Sequence, residues 1–180
     1  MDDRLLEGLR KMLGRADDAD AEAAVVIILS GDPGNLKTLL VKRACSPSDP
    51  WSGDIALPGG KRQRSDASLL ETVTRETLEE TGLDLARCQI LGSLRVTTSN
   101  VRSGMTVLPF VAFCEEEPAI RLSEELTAHF WVPLEGMQQS RCTARVRGIE
   151  VPAFTVEGEV VWGLTYRIVE RLLEILAKAK

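Results

Sequence analysis

Long apolar runs are missing from this chain of 180 residues. Its most apolar stretch, Ala23 to Leu29, is far shorter than the roughly 18 apolar residues that a membrane-spanning helix needs. The first residues, Met1-Asp2-Asp3-Arg4, lack the basic region and the apolar stretch of a secretory signal peptide. The sequence therefore predicts a cytoplasmic protein with no membrane partner.

Metal-binding cysteine pairs are also missing. The four cysteines are scattered and form no C-x-x-C pair, so we expect no zinc site; they are Cys45, Cys88, Cys114 and Cys142. In a cytoplasmic chain we expect free thiols that serve as small buried apolar side chains, and no disulfide bonds. The one histidine, His129, is expected to have a structural role.

Net positive charge is missing as well. The chain has 22 Lys and Arg residues against 27 Asp and Glu residues, which gives a formal net charge of -5. Because nucleic-acid-binding proteins present a basic surface, we expect no nucleic-acid partner. A phosphate-bearing substrate is compatible with this charge, because bound divalent cations reverse the local field of an acidic site.

What the sequence does contain is the pattern of one globular domain with both helices and strands. The composition is 44% hydrophobic and 27% charged, and the length suits a single core. Apolar spacing predicts helices at Asp3–Leu13, Leu69–Thr81 and Leu164–Ala177. Strands are predicted at Ala23–Ser30, Thr38–Arg43, Asp54–Leu57, Cys88–Thr97, Thr106–Cys114 and around Phe130–Val132, with a hairpin at Ala144–Phe154.

These elements predict an α/β (α+β) fold, a sandwich of helices around a mixed β-sheet in one domain. Residues 1–20 are expected to form an N-terminal helical extension, and residues 21–180 the main domain. The apolar stripe of the first helix is expected to pack on a second copy of the chain, which predicts a homodimer.

The clearest candidate for chemistry is a group of glutamates on the central helix. Glu76, Glu79 and Glu80 are spaced i, i+3 and i+4, so their carboxylates emerge on one side of the helix. Hard cations such as Mg²⁺ would convert the repulsion between them into a multidentate oxygen site. Arg75 can hold one carboxylate in a bidentate hydrogen bond. Alone, such a segment is more often a solvated acidic face, but the glycine turn Pro58-Gly59-Gly60-Lys61 ahead of it favours a ligand site.

The segment Arg75-Glu76-Thr77-Leu78-Glu79-Glu80-Thr81-Gly82-Leu83 resembles the second half of the Nudix box, G-x5-E-x7-R-E-U-x-E-E-x-G-U, where U is apolar. Gly60 resembles its opening glycine, one residue further from Arg75 than in the general pattern. The earlier glutamate of the box is missing, because Ala67 holds its place with Asp66 next to it. Thr77 stands where the box has an apolar residue.

The longer spacing is similar to that of the coenzyme A pyrophosphatase branch of the Nudix hydrolases. Arg43 and the segment from Asp49 to Lys61 resemble the signature that precedes the box in that branch. The segment Trp162-Gly163-Leu164-Thr165 resembles its C-terminal W-G-x-T element. The resemblance runs from about Val25 to Leu173, which is most of the chain.

The resemblance implies a Nudix domain over residues 21–180 and a metal-dependent hydrolase of a nucleoside diphosphate linked to a group X. The implied substrate is coenzyme A or an acyl-coenzyme A, which would give 3′,5′-ADP and 4′-phosphopantetheine. The alternatives are a broader hydrolase of ADP-ribose, NADH or oxidised nucleotides, and a non-catalytic nucleotide-binding module. The implied cofactor is Mg²⁺ or Mn²⁺, held by Glu76, Glu79, Glu80 and the Gly60 carbonyl, with Arg75 as the orienting residue.

The general base and the substrate contacts are less closely defined. The base is left open between Glu79, Glu80 and a glutamate outside the box, for which Glu125 is the candidate and Glu115–Glu117 are the runners-up. Expected substrate contacts are Arg43, Trp51, Ser52, Gly59, Gly60, Lys61, Arg62 and Trp162. The tryptophans offer flat faces to an adenine and the cations can meet phosphates, although core or loop roles account for these residues equally well.

Overall fold

A mixed β-sheet between helices forms the centre of the fold in the computed structural model of the chain, which describes residues 3–15, 20–32, 34–99 and 104–179. The helices are α1 (Asp3–Met12), α2 (Leu69–Thr81), α3 (Leu134–Gln139) and α4 (Gly163–Ala179), with a short 3-10 turn at Leu85–Arg87. The strands are β1 (Ala23–Ser30), β2 (Lys37–Arg43), β3 (Ile55–Ala56), β4 (Gly59–Lys61), β5 (Gln89–Ser93), β6 (Thr97–Thr98), β7 (Thr106–Cys114), β8 (Leu126–Pro133), β9 (Arg141–Val146), β10 (Ile149–Val156) and β11 (Glu159–Trp162).

The main sheet has the strand order β3-β2-β1-β7-β5, with β4, β6 and β8 paired to β1, β7 and β2. Strands β1 and β7 run parallel, and the other pairs are antiparallel. Strand β1 changes partner along its length, because Leu29 and Ser30 pair with β2 whereas Ala23 to Val25 pair with β4. This change of partner places the glycine segment of β4 beside the start of β1, where the site lies.

The core has two halves, one on each face of the main sheet. Strand β1 is apolar along its whole length because both of its faces are covered. Ile27 and Leu29 belong to the cluster that contains α1 and α4, whereas Val26 and Ile28 belong to the cluster that contains α2. Helices therefore cover both faces of a mixed sheet, and the predicted fold class is confirmed.

Helix α1 belongs to this core. Leu5, Leu6 and Leu9 are buried in the cluster that α4 also joins. The apolar stripe from which the homodimer was inferred thus faces its own chain. The homodimer and the domain boundary at residue 20 stay predictions.

Most predicted elements are present, and the differences concern short segments. The strand predicted at Cys88–Thr97 is divided into β5 and β6, and the strand predicted around Phe130–Val132 is the longer β8. Strands β4 and β11 and helix α3 were not predicted. No helix among the described residues is long and apolar enough to cross a membrane.

A disulfide bond joins Cys88 to Cys114, so the prediction of four free thiols is wrong for this pair. Gln89 pairs with Phe113 in the antiparallel ladder of β5 and β7. The two cysteines occupy the next facing position, where their Cα atoms are 4.5 Å apart. Cys45 and Cys142 are free as expected, but both are exposed instead of buried.

Candidate active site

Helix α2 carries the acidic residues and has well-defined ends. The side chain of Ser68 caps its first turn by accepting a hydrogen bond from the backbone N–H of Glu71 at 3.1 Å. At the other end, the N–H of Gly82 donates to the carbonyl of Leu78 at 2.9 Å. Ser68 is therefore the N-cap residue of α2.

Asp66 binds Arg75 with both of its carboxylate oxygens. Nε of Arg75 donates to Oδ1 at 3.1 Å and Nη2 donates to Oδ2 at 3.0 Å. Asp66 also accepts hydrogen bonds from the N–H of Gln63 at 2.8 Å and from Oγ1 of Thr72 at 3.0 Å. These donors, Arg75 first, hold the pKa of Asp66 well below its usual value. The buried carboxylate beside the missing box glutamate therefore anchors Arg75.

Arg75 reaches from this anchor to the glutamates of its own helix. Its Nη1 lies 2.7 Å from Oε1 of Glu76 and 3.3 Å from Oε2 of Glu79. The expected bidentate pairing is thus made with Asp66, and the helix glutamates receive single hydrogen bonds. The hydrogen bonds that Arg75 donates to Asp66 raise the pKa of Arg75, which keeps its charge fixed beside the site.

Glu76 and Glu80 face a cavity of about 490 Å³. Glu80 is only 5% exposed, and its Oε2 accepts a hydrogen bond from the N–H of Gly59 at 2.9 Å. Burial raises the pKa of Glu80 to about 7, although the Gly59 hydrogen bond and the charge of Arg43 oppose this shift. The cavity therefore holds two carboxylates, and one of them has lost most of its contact with water.

Glu79 does not line this cavity, and its side chain is 59% exposed. Successive helix residues are about 100° apart around the axis, so Glu76 and Glu80 are about 40° apart, whereas Glu79 and Glu80 are about 100° apart. Of the three predicted metal ligands, the structure brings two together and leaves the third at the edge.

Two glycines of β4 allow close approaches, Gly59 to strand β1 and Gly60 to helix α2. Gly59 has a φ of +138°, and a Cβ atom there would lie 2.2 Å from the carbonyl oxygen of Ala24. A Cβ atom on Gly60 would lie 2.6 Å from the carboxylate of Glu76. The backbone of β4 and the Glu76 carboxylate therefore meet without any intervening side chain.

Most of the predicted substrate contacts also line the cavity. They are Arg43, Trp51, Gly59, Gly60, Lys61 and Trp162. The exceptions are Ser52, whose hydroxyl accepts a hydrogen bond from the N–H of Ser46 at 2.8 Å, and Arg62, which donates to the carbonyls of Asp66 and Ala67. Both bind the surrounding loops, and their contact with substrate stays a prediction.

Among the candidates for the general base outside the box, Glu125 lines the cavity. It directly precedes β8, and its charge is one of those that raise the pKa of Glu80. The runners-up Glu115–Glu117 line a different groove, and Glu117 pairs with Lys37 at 2.8 Å. His129 is exposed on β8 and lies outside the cavity lining.

The rest of the cavity wall is mainly apolar and comes from β1, β7, α4 and the small sheet of β9, β10 and β11. Its apolar members include Ala23, Val25, Met105, Val107, Ile149, Val151, Leu164 and Ile168. The cavity is therefore acidic at the end where α2 faces β4, and its remaining wall offers mainly apolar surface.

Sequence reasoning missed Asp54, which lies in this wall. It accepts hydrogen bonds from Nε1 of Trp162 at 3.2 Å and from Nη2 of Arg147 at 3.0 Å. Burial raises the pKa of Asp54. Its partners lie 108 and 93 residues away along the chain, so no local pattern signals the contact.

The donors at the acidic end suit a divalent cation. Within the parts of the chain that the structure describes, no three Asp, Glu, His or Cys side chains form a ready-made metal site. Glu76 and Glu80 nevertheless offer carboxylate oxygens to one cavity, beside the backbone of Gly60. Mg²⁺ is commonly held by one or two carboxylates together with the phosphates of a substrate, so this donor set fits Mg²⁺ or Mn²⁺.

Comparisons with known proteins agree with this geometry. The sequence profile described as NUDIX domain matches residues 20–149. The human protein named mitochondrial coenzyme A diphosphatase NUDT8 is 30% identical over 165 residues, which cover 87% of this chain and 70% of that protein. A protein of Schizosaccharomyces pombe is 37% identical over 122 residues, but this match covers 61% of this chain and only 35% of the yeast protein.

Among solved structures, the Nudix hydrolase RenU of M. smegmatis has the same fold. It matches with a TM-score of 0.61 and 20% identity, over 88% of this chain and 86% of that chain.

Proposed function

Because this chain belongs to the Nudix hydrolases, a family that acts on nucleoside diphosphates linked to a group X, we propose that its substrate is coenzyme A or an acyl-coenzyme A. The products would be 3′,5′-ADP and 4′-phosphopantetheine. The observation that carries the proposal is the cavity, which places Glu76 and Glu80 at one end of a mainly apolar space. The name of the human relative, mitochondrial coenzyme A diphosphatase NUDT8, supports the same choice of X.

The acidic end and the apolar wall of the cavity suit the diphosphate and the pantetheine arm of such a substrate. The diphosphate would lie at the acidic end, where Lys61 and Arg43 also line the wall. The apolar wall would receive the flexible pantetheine arm, which has long stretches of low polarity. The chain thus offers both the charged and the apolar surface that a coenzyme A thioester requires.

Family members generally use divalent cations, and we propose Mg²⁺ or Mn²⁺ for this chain. A bound cation would supply charge neutralisation at the diphosphate and a lower pKa for attacking water. Glu76 and Glu80 would hold it, together with the carbonyl of Gly60. Arg75, anchored by Asp66, would keep Glu76 in place. Glu125 would accept the proton of the attacking water, and its position on the cavity wall outside α2 supports this role.

A cytoplasmic location is part of the same proposal. The name of the human relative places that protein in mitochondria. Fractionation of the source cells with an antibody against this chain tests the location directly.

A substrate panel tests the proposal. Coenzyme A, an acyl-coenzyme A, ADP-ribose, NADH and an oxidised deoxynucleoside triphosphate are each incubated with the protein, with Mg²⁺, with Mn²⁺ and with neither. We expect the highest kcat/KM with coenzyme A or its thioester, and no turnover without cation. A clear preference for ADP-ribose or NADH would replace the substrate but keep the reaction type.

Replacing Glu80 and Glu79 separately by Gln distinguishes an enzyme from a nucleotide sensor. Glu80→Gln keeps an acceptor for the Gly59 N–H, so the fold is retained, and we expect kcat to fall on the order of 10³-fold. Glu79→Gln should cost less, on the order of 10-fold, because its carboxylate lies outside the cavity. A wild-type protein that binds nucleotide but hydrolyses nothing in the panel would be a sensor.

A further inference from the structure

Asp54 ties the small sheet to the main sheet beside the cavity. It immediately precedes β3 of the main sheet, whereas Trp162 ends β11 and Arg147 lies in the turn between β9 and β10. Its Oδ1 accepts from the indole Nε1 at 3.2 Å and its Oδ2 accepts from the guanidinium Nη2 at 3.0 Å. A single carboxylate therefore fixes two side chains of the small sheet.

A cation covers one face of Trp162, and the same tryptophan lines the cavity. The guanidinium carbon of Arg147 lies over the indole ring, 5.1 Å from its centroid. Trp162 lines the cavity and Arg147 does not, so the cation covers the outer face of the ring. The hydrogen bond to Asp54 fixes the rotation of the ring, and the face opposite Arg147 is its inner face.

The second tryptophan of the cavity is held differently. Trp51 packs against the apolar cluster that contains Met105 and Val107. Among the described residues, no side chain forms a hydrogen bond with its indole. Of the two tryptophans that line the cavity, Trp162 is therefore the one whose plane is set by polar contacts.

We propose that the inner face of Trp162 is the platform on which the nucleobase of the substrate stacks, with Asp54 and Arg147 as its positioning residues. The inference rests on the proposed function, because it requires a nucleotide in this cavity. A flat surface that is oriented in advance reduces the ordering cost of a flat, rigid ligand. Base stacking on an aromatic side chain is sequence-tolerant and strong. A flexible chain gains little from a fixed plane and packs equally well on the aliphatic wall.

Binding of the two halves of coenzyme A tests the platform. Isothermal titration is done with adenosine 3′,5′-bisphosphate and, separately, with 4′-phosphopantetheine. For Trp162→Ala we expect affinity for the bisphosphate to fall about 10-fold or more, and affinity for phosphopantetheine to change less than about twofold. Arg147→Ala should give the same selectivity with a smaller loss of about 3-fold, and Arg147→Lys should restore most of it because the cation is retained.

Arg145→Ala is the matched control, because Arg145 is an exposed arginine on the same hairpin, two residues before Arg147. Both affinities should be unchanged in this variant. Thermal unfolding of each variant checks that it is folded. If Trp162→Ala fails to fold, Arg147→Ala still tests the platform, because it changes only an exposed side chain. In steady-state assays the positioning variants should raise KM and leave kcat within about twofold.

Two patterns of affinity loss would overturn the platform. One is a loss of affinity confined to phosphopantetheine, and the other is an equal loss for both halves, which would indicate a collapsed cavity. If coenzyme A is not hydrolysed and ADP-ribose is, the proposed substrate fails, and the same variants are tested through KM for ADP-ribose, which carries the same base. If coenzyme A is hydrolysed and no variant changes binding or KM, the platform fails and the proposed function stands.

Discussion

At the scale of single residues, the backbone of Gly60 lies directly against the carboxylate of Glu76. In Gly60→Ala the added methyl group would lie 2.6 Å from that carboxylate, which must then move. We expect kcat/KM to fall about 10- to 100-fold with little change in the free energy of unfolding, because only the end of a flexible side chain is displaced. Gly34→Ala is the control, since its Cβ would meet no atom within 4 Å. Equal activities of the two variants would contradict the prediction.

Thr77 stands where the Nudix box has an apolar residue, and its hydroxyl lowers the stability of the fold. Among the described residues, its Oγ1 is one of two buried side-chain atoms without a hydrogen-bond partner. Thr77→Val removes this unpaired hydroxyl at constant volume, so we expect the protein to gain about 1 kcal/mol in the free energy of unfolding, measured in urea.

Thr81→Val provides the contrast on the same helix. The hydroxyl of Thr81 donates to the carbonyl of Thr77 at 2.6 Å and accepts from the N–H of Leu83 at 3.3 Å. This variant should therefore lose stability, by about 1 kcal/mol or more. Two variants with the same sign would contradict the account of Thr77.

The residue scale is also where sequence reasoning was most uneven. Glu76 and Glu80 were predictable, because their spacing of four places them on one face of a helix. The exposure of Glu79 follows from the same helical angle but depends on which face meets the sheet, and that is set by the close approach of β4. Asp54 was not predictable, since its two partners come from a different sheet far along the chain.

At the scale of elements, Asp66 and Arg75 join the loop before α2 to the middle of that helix. Because the pKa of Asp66 is held below its usual value of 3.8, its contribution to stability is fully present above that pH and is lost as the pH falls below it. We expect Asp66→Asn to lower Tm at pH 7, and the difference from the wild type to shrink between about pH 4 and pH 2.

The control is Asp32→Asn, because Asp32 is exposed in the turn after β1. Its Tm should follow the wild type at every pH. A Tm difference for Asp66→Asn that stays constant from pH 7 to pH 2 would show that the carboxylate charge does not matter. Because Asp66 anchors Arg75, activity should also fall, about 10-fold or more.

Elements with strong periodicity were predicted well, and those defined by pairing were not. Helix α2 has both of its ends as expected, because a capping serine and a terminal glycine are local signals. Strand β4 consists of Gly59, Gly60 and Lys61, which as a sequence indicates a turn and becomes a strand only by pairing with β1. The disulfide bond was missed for the same reason, because the register of β5 and β7 brings its cysteines together.

At the scale of the whole molecule, α1 is joined to the core through Leu9, which is fully buried. Leu9→Ala should lower the free energy of unfolding by about 2–5 kcal/mol, since a cavity would form between α1 and the rest of the domain. Urea unfolding followed by circular dichroism measures this loss. Met12→Ala on the same helix is the control, because Met12 is 39% exposed and should cost about 0.5 kcal/mol or less.

If α1 were an independent extension, Leu9→Ala would leave the main unfolding transition where it is. The alternation of strands and helices predicted the sandwich from the sequence, because apolar periodicity shows which faces are buried. It does not show what covers them. The apolar stripe of α1 was therefore predictable from the sequence. That α4 packs in the same cluster is shown only by the structure.

The disulfide bond between Cys88 and Cys114 closes a covalent loop in the chain. This loop begins after α2, just before β5, and ends with the last residue of β7. For a sequence separation of 26, the bond lowers the conformational entropy of the unfolded chain and so stabilises the folded state by about 3 kcal/mol. This is a large share of the free energy of unfolding of a typical domain. Protein purified with dithiothreitol thus has an open chain, whereas protein purified without it contains the disulfide-closed loop. Melting curves from the two preparations would describe different molecules.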